Sequence, residues 1–464
     1  MKKPQRISEL SAWVCFLTTL AVLGLINACS GQTQIVLDPS VHHQTISGWE
    51  YEDGLEGGPH SPTYPVFISR FDQYKNSLYD HAANDLGLNR IRFMFGAGIE
   101  GPGDGLWGKA LAGQISLEAT YKHPINVVSS GRHANVVNLT GFQFAAVDFQ
   151  INNMVLPMKQ RVEANGEKFY FTGTYNAFRT SEGYLHSDPA FYARFVLAVF
   201  KHMDQTFGFV PDTWEMCNEP ENAPAWSDGT LMGHALVKTA AVLHANGYNP
   251  KFELPSPAFV QNAIRYFRQV IAVRGALPLI GEFSYHMYDG HGQEPQQIAA
   301  LGVQYGFDTA MNEGAGIANG SWLHDGLKKG NNSSWEQGSL AQVSYTPNND
   351  GYFAVDQNNN VKLQTMAINY RQYFHYIRPG AVRIDAKTNN ARSDPVAFIN
   401  TNGKYVVVVQ AATEDTITVS NLPAGTYGIT DSLGGKHPDS NVTNGTLTTQ
   451  ISGRGYITVY GKTM

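Results

Sequence analysis

The sequence predicts an α/β chain built as a (β/α)8 barrel with a C-terminal β-sandwich, and three observations carry that prediction. Between about residue 33 and residue 376, short β-rich apolar runs alternate with stretches of helical periodicity, and eight such runs can be placed, the number that closes a parallel barrel. The β-rich runs tend to end in polar residues suited to chemistry. After Arg378-Pro379-Gly380 the rhythm changes to short alternating runs such as Tyr405-Val406-Val407-Val408-Val409 and Thr416-Ile417-Thr418-Val419, separated by Gly, Pro and Asn turns.

The bulk numbers agree. At 464 residues the chain suits one barrel of about 250 residues or more plus a smaller companion. Its 42% hydrophobic, 16% charged and 12% aromatic composition describes a globular protein richer in rings than in ions. A net charge of −6 supplies no basic field for phosphates, which argues against a nucleic-acid partner and favours neutral or cationic ligands.

In chain order, residues 1–29 read as an export signal: Lys2, Lys3 and Arg6 precede an uncharged apolar run from Ala12 to Ile26. The run ends in Leu25-Ile26-Asn27-Ala28-Cys29, which resembles a bacterial lipobox and implies acylation of Cys29 and anchoring to the cell envelope. The alternative is an uncleaved anchor helix, although the run is slightly short of the ~18 residues that span a bilayer. Both place the remainder outside the cytoplasm, lipid-anchored or secreted. With Cys29 acylated, Cys217 is the one thiol of the mature chain, so neither an internal disulfide nor a cysteine metal cluster is expected.

Eight candidate barrel strands follow: the segment ending at Gly48-Trp49-Glu50, then Leu88 to Phe95, Lys168 to Tyr175, Thr213 to Asn218, Lys251 to Pro255, Leu279 to Tyr288, Phe307 to Asn312, and a last one near Trp335 to Val343. Asp188 to Phe207 carries the spacing of an amphipathic helix, and Phe142 to Ala164 a weaker version of it. Residues 97 to 140, rich in Gly, Ser and Asn, form an insertion after the second strand. On a barrel this is a loop of the catalytic face, expected to shape a substrate cleft unless it is a disordered excursion. The expected boundaries are 33–45 for an N-terminal strand, 46–376 for the barrel and 377–464 for the sandwich.

The segment most informative about chemistry is Trp214-Glu215-Met216-Cys217-Asn218-Glu219-Pro220, which puts a carboxyl group, with an amide beside it, at the end of a mid-barrel strand. Glycoside cleavage with retention needs two carboxyl groups about 5 to 5.5 Å apart, one to protonate the leaving oxygen and one to attack the anomeric carbon. Glu219 is the natural first member. Glu221, beyond the proline, is expected to face solvent, and Glu215 lies deeper in the strand.

Here the sequence resembles the clan A glycoside hydrolases, with Asn218-Glu219 at strand four and Phe307-Asp308-Thr309-Ala310-Met311-Asn312-Glu313-Gly314 at strand seven. The resemblance implies Glu219 as acid/base and Glu313 as nucleophile. Glu282 is the rival, set toward the closed end of strand six. The resemblance further implies that Arg92 (with Arg90 as the alternative) lies near the nucleophile, that His286 and Tyr288 match the strand-six His-x-Tyr pattern with the phenol bonded to the nucleophile, and that Trp335 lies under the sugar. Trp49 and Glu50 after strand one, and Tyr175 and Asn176 after strand three, are further sugar-binding candidates, since rings flanked by amides and carboxylates suit sugar faces. His286, His291 and His324 lack the paired spacing of a zinc site, and neither metal nor cofactor is expected.

Within the clan the chain looks most like glycoside hydrolase family 30, on Gln44-Thr45-Ile46-Ser47-Gly48-Trp49 and on Tyr376-Ile377-Arg378-Pro379-Gly380-Ala381. This implies that the early strand joins the sandwich. Three departures fall where the sugar would sit: Gly48-Trp49-Glu50 in place of Gly-Phe-Gly, Thr174-Tyr175-Asn176 in place of Trp-Ser-Pro, and Asn312 before Glu313 in place of Thr. The expected partner is a β-linked carbohydrate. An exo-acting or transglycosylating relative such as family 39, and a surface lipoprotein that binds glycans without cleaving them, are the competing readings.

Overall fold

In the computed structural model, which describes residues 32–55, 64–100, 114, 137–177, 185–223, 225–290, 292–314, 319–342 and 351–462, eight strands form a closed parallel barrel. These are β2 (Gly48–Leu55), β3 (Arg90–Gly96), β4 (Tyr170–Asn176), β5 (Thr213–Glu215), β6 (Lys251–Pro255), β7 (Ile280–His286), β8 (Asp308–Glu313) and β9 (Ser334–Gln342). They neighbour one another in sequence order, and β9 pairs with both β8 and β2 to close the ring. The leader and Cys29, and nearly all of the insertion at 97–140, lie outside the described residues. Among those residues no helix is long and apolar enough to cross a membrane.

Strand alternation explains how one sequence builds two unlike environments. On β3, Ile91, Phe93 and Phe95 point outward into the helical layer, where Phe95 meets Phe171 and Trp214. Arg90 and Arg92, two residues apart, point inward and are fully buried. The same alternation places Glu50, Thr172, Thr174, Glu215, Glu253, Glu282, Ser334 and Glu336 in a barrel interior that is ionic where barrels are ordinarily filled with branched apolar side chains.

The helices around the barrel are α1 (Tyr64–Asp80), α2 (Ala145–Gln150), α3 (Leu156–Ala164), α4 (Pro189–Phe207), α5 (Gly229–Ala245), α6 (Val260–Ala272), α7 (Glu294–Tyr305), α8 (Gly320–Lys328) and α9 (Thr365–Phe374). Helix α4 starts where Asp188 caps the Ala190 N–H, with Pro189 in the first turn where a missing N–H costs nothing, and stops at Gly208 with φ 74°. The weak periodicity of Phe142 to Ala164 has a local cause. A π-helical turn, Ile151–Val155, separates α2 from α3, and Pro157 cannot donate back to Asn153, whose carbonyl accepts instead from the Tyr79 hydroxyl at 3.2 Å.

Strand β1 (Thr33–Thr45) leaves the barrel and pairs antiparallel with β12 (Val382–Thr388) and parallel with β15 (Asp415–Ser420). With β13 (Ser393–Ile399), β14 (Tyr405–Ala411), β16 (Gly425–Asp431), β17 (Ser440–Val442), β18 (Thr446–Ile451) and β19 (Gly455–Gly461) it forms one nine-stranded sheet wrapped around its own apolar cluster. Two short strands, β10 (Phe353–Val355) and β11 (Val361–Leu363), extend the barrel sheet beside β9; the sequence pattern did not reveal them. The two domains share packing, since Val396, Phe398, Val406, Val408 and Tyr456 of the sandwich belong to the barrel's apolar cluster.

Candidate active site

Two tiers of ion pairs fill the barrel. In the lower tier Arg90 donates to Glu50 at 2.7 Å, Glu282 at 3.0 Å and Glu253 at 3.1 Å. One guanidinium cannot neutralise three buried carboxylates. Burial, and after it the charge of Glu282, push Glu253 well above the usual carboxylate range, and burial also raises Glu50 despite the adjacent Arg90. Glu282 is therefore a floor residue, further held by the Ser334 hydroxyl at 2.9 Å.

The upper tier is organised by Arg92. Its Nε and Nη2 grip Glu215 at 2.6 and 2.9 Å, its Nη1 donates to Glu313 at 2.6 Å, and Nη2 also reaches the Asn218 side-chain carbonyl at 2.6 Å. Tyr288 donates its hydroxyl to the other oxygen of Glu313 at 2.5 Å. Burial raises the Glu313 carboxyl, but the charges of His286 and Arg92 and the bonds from Tyr288 and Arg92 outweigh it, so the group lies below its ordinary value. Burial, followed by the Glu313 charge, in turn pushes the Tyr288 phenol up, so it remains a donor. Glu215 follows the logic of Glu313: burial raises it and the Arg92 pairing brings it below the ordinary range.

Glu219 sits opposite. Its Oε2 accepts from Asn222 at 2.8 Å, and Oε1 lies 3.3 Å from His286 Nδ1, which is itself 3.7 Å from Glu313 Oε2. One oxygen from each carboxyl and the imidazole nitrogen all lie within 4.8 Å of one another. Glu219 and Glu313 are 8% and 9% exposed, open enough to meet a ligand that the fully buried Arg92 and His286 cannot reach. The backbone at Glu219 is left-handed, with φ 43°, immediately before Pro220. A non-glycine residue there costs on the order of 1–3 kcal/mol and persists where the surroundings impose it. The regular ladder of β5 ends at Glu215, three residues before the predicted end, yet the chain stays pinned by Met216 N–H to Glu253, Asn218 N–H to Tyr175 and Glu219 N–H to Ser256. A register slip between Tyr285 and His286 sets His286 opposite Glu313.

The other sequence candidates divide. Asn176, half-buried, follows Thr172 and Thr174 on the inner face of β4 and stands at the barrel rim. Four candidates are corrected. Trp335 points outward between Ser334 and Glu336 and packs against Gly326 of α8, where even a Cβ would collide with the indole. Trp49 also points outward, stacked on Phe374 and donating to the Ile377 carbonyl at 2.7 Å. Tyr175 packs among Tyr192, Phe195 and Trp226, with its hydroxyl 2.9 Å from His186. Glu50 is inside the barrel but in the floor tier. In each case the pleat decided: β2 runs on to Leu55, so Glu50 lies deep and Glu52, one repeat further along, reaches the upper tier. Glu221, expected at the surface, is half-buried and accepts from the Phe259 N–H at 3.2 Å. Sequence reasoning missed Asn222, Glu52 and Glu336; counting inner-face positions along β2 and β9 would have found the last two.

Residues 380–459 match the model of the glycosyl hydrolase family 30 beta sandwich domain. No curated protein matches the sequence. Among solved structures, the chain superposes on the catalytic domain of a family 30 xylanase C from Talaromyces cellulolyticus with a TM-score of 0.68 and 18% identity, over 93% of this chain and 100% of that one. A family 30 endoxylanase from Clostridium papyrosolvens gives 0.63 and 15%, over 93% and 100%. An endo-β1,6-glucanase gives 0.62 and 14%, over 92% and 94%. The barrel-plus-sandwich expected from sequence is thus the observed architecture, and it is like that of family 30 of clan A.

Proposed function

We propose that this chain is a retaining glycoside hydrolase that cleaves β-linked glycans, with Glu219 as acid/base and Glu313 as nucleophile. The observation that carries the reading is the meeting of these two carboxyls, from the fourth and seventh barrel strands, with oxygens within 4.8 Å and unlike surroundings. Glu313 is held ionised by Arg92 and Tyr288, as an attacking group must be. Glu219 has an amide and an imidazole beside it and, among the described residues, no guanidinium bonded to it. In the first step Glu219 gives its proton to the departing glycosidic oxygen while Glu313 bonds to the anomeric carbon. In the second, Glu219 takes a proton from water, whose oxygen displaces Glu313 with a second inversion. Asn218, with its carbonyl oxygen fixed by Arg92, keeps its NH2 as the donor end for a sugar hydroxyl. The xylanases and the glucanase of like fold support a β-linked polysaccharide or oligosaccharide such as a xylan, glucan or galactan. The leader pattern supports an activity outside the cytoplasm, lipid-anchored at Cys29 or secreted.

The test is hydrolysis across a panel of β-glycans and aryl β-glycosides by wild type, Glu219→Gln and Glu313→Gln. Glu313→Gln should lose activity on all substrates. Glu219→Gln should lose about 10²–10⁴-fold on natural glycans and much less on aryl glycosides whose leaving group needs no proton. A wild-type rate kept by Glu313→Gln would remove it as nucleophile, and glycan binding without any cleavage would favour a binding protein.

A further inference from the structure

The two carboxyls of the site are held in different ways. Glu313 is fixed through its own side chain by Arg92 and Tyr288. Glu219 instead stands on a strained turn, φ 43°, beyond the last regular rung of β5 at Glu215. The segment that follows β6 holds this turn. The Ser256 carbonyl accepts from the Glu219 N–H at 3.0 Å, the Pro257 carbonyl from the His286 N–H at 3.0 Å, and the Ala258 carbonyl from the Tyr288 N–H at 3.2 Å. Three consecutive carbonyls thus set the backbone of Glu219 and of the two residues whose side chains meet Glu219 and Glu313. Ser256 is itself left-handed, φ 47°, a conformation that a non-glycine residue keeps only where its surroundings impose it.

Those surroundings include Asn312, the residue before Glu313. Fully buried, its amide NH2 donates to Glu253 at 2.9 Å and to the Ser256 hydroxyl at 3.2 Å. That hydroxyl lies 2.6 Å from the one of Ser284, also buried, and Glu253 is gripped from below by Arg90 at 3.1 Å. A serine or threonine at 312, with a single donor, could not make both bonds. On the footing of the glycosidase reading above, we propose that Asn312 and Ser256 are positioning residues for the acid/base: they tie the strand that carries Glu313 to the turn that carries Glu219 and hold the two carboxyls at their working separation. Both are fully buried and act through Glu219. Because Arg92 and Tyr288 hold Glu313 independently, loss of the link falls on the proton transfers and spares the attack on the anomeric carbon.

The test uses the β-glycan of the panel above that wild type cleaves best, and a dinitrophenyl β-glycoside of the same sugar. Asn312→Ala and Ser256→Ala should each lose about 10- to 100-fold in kcat/KM on the glycan, whose leaving oxygen needs a proton. Both should stay within about threefold of wild type in kcat/KM on the dinitrophenyl glycoside, whose leaving group needs none. Azide has no proton to remove, so by displacing Glu313 from the anomeric carbon it should restore kcat on the dinitrophenyl glycoside in both variants, as in Glu219→Gln. The double variant should lose no more than the larger single loss, since both residues act through one turn. An equal fall on glycan and dinitrophenyl glycoside that azide does not relieve is the mark of a structural role and would overturn the proposal. So would wild-type rates in both variants. Should Asn312→Ala fail to fold, Ser256→Ala decides alone. Absence of cleavage by wild type, or a Glu219→Gln variant indifferent to the leaving group, would instead bring down the glycosidase reading on which the proposal rests.

Discussion

Tyr288 shows how one hydrogen bond tunes a buried carboxyl. Its hydroxyl donates to the Glu313 oxygen that Arg92 does not hold, and a hydrogen bond to a charged group contributes about 1.5–3 kcal/mol. Glu313 lies below its ordinary value, so its contribution to stability is full above the ordinary carboxylate range and is lost as pH falls through the depressed value. Tyr288→Phe removes one of the groups favouring the carboxylate and moves that value up. The acid limb of the kcat/KM profile should therefore shift to higher pH by about one unit or more, with acid unfolding shifting in the same direction. An acid limb that stays in place would show that the phenol does not tune Glu313. At this scale the sequence narrowed the guanidinium to Arg92 or Arg90, two positions apart on one strand, and left the choice between them to the fold. It was silent on Glu336, whose identity as a strand glutamate says nothing of two buried oxygens that find no hydrogen-bond partner among the described residues.

Among elements, β9 and α8 show why the tryptophan assignment failed and how to check the corrected one. Strand alternation gives Trp335 to the helix side, and the helix meets it with Gly326, the residue that leaves room for the ring. Gly326→Ala ordinarily favours a helix by about 1 kcal/mol, but here the added methyl enters the space of the indole. The variant should be destabilised by about 1–3 kcal/mol, visible as a lower midpoint in urea. A stabilised variant would mean that Trp335 is free to move toward the cleft. The elements most legible in the sequence were those with regular periodicity and explicit end signals, such as α4 between Asp188 and Gly208. The π-helical turn at Ile151–Val155 was not, because its cause couples Pro157 to a carbonyl taken up by Tyr79 from another helix.

For the molecule as a whole, the barrel and the sandwich are fastened from several sides. Strand β1 leaves the barrel to become an internal strand of the sandwich sheet. Arg383 donates to Gln44 at 2.7 Å, and the Gln44 amide donates to the Leu327 carbonyl at 2.7 Å. Lys328 and His324 of α8 pair with Asp394 of β13. With an apolar cluster running through both domains, the two should unfold together. Beyond the leader every tryptophan lies between Trp49 and Trp335, so the indole fluorescence of a chain without the leader reports the barrel alone. Its thermal midpoint should coincide with that of the calorimetric transition, and two separated transitions would contradict the shared core.

By itself the sequence determined the order of the eight barrel strands, the change from barrel to sandwich rhythm after Arg378, and the positions of Glu219 and Glu313 at strand ends. These are local properties, written in periodicity, turn residues and the end signals of each run. Only the tertiary structure decided which tier each inward residue joins, that Arg92 rather than Arg90 meets Glu313, and that Trp49, Tyr175 and Trp335 turn into the core. The reason is that a strand's pleat assigns a side chain to one of two faces, but strand length and register decide which residue reaches the rim. The slips beside Glu50, Glu52 and His286 arise from contacts between strands far apart in the chain, where no local pattern records them.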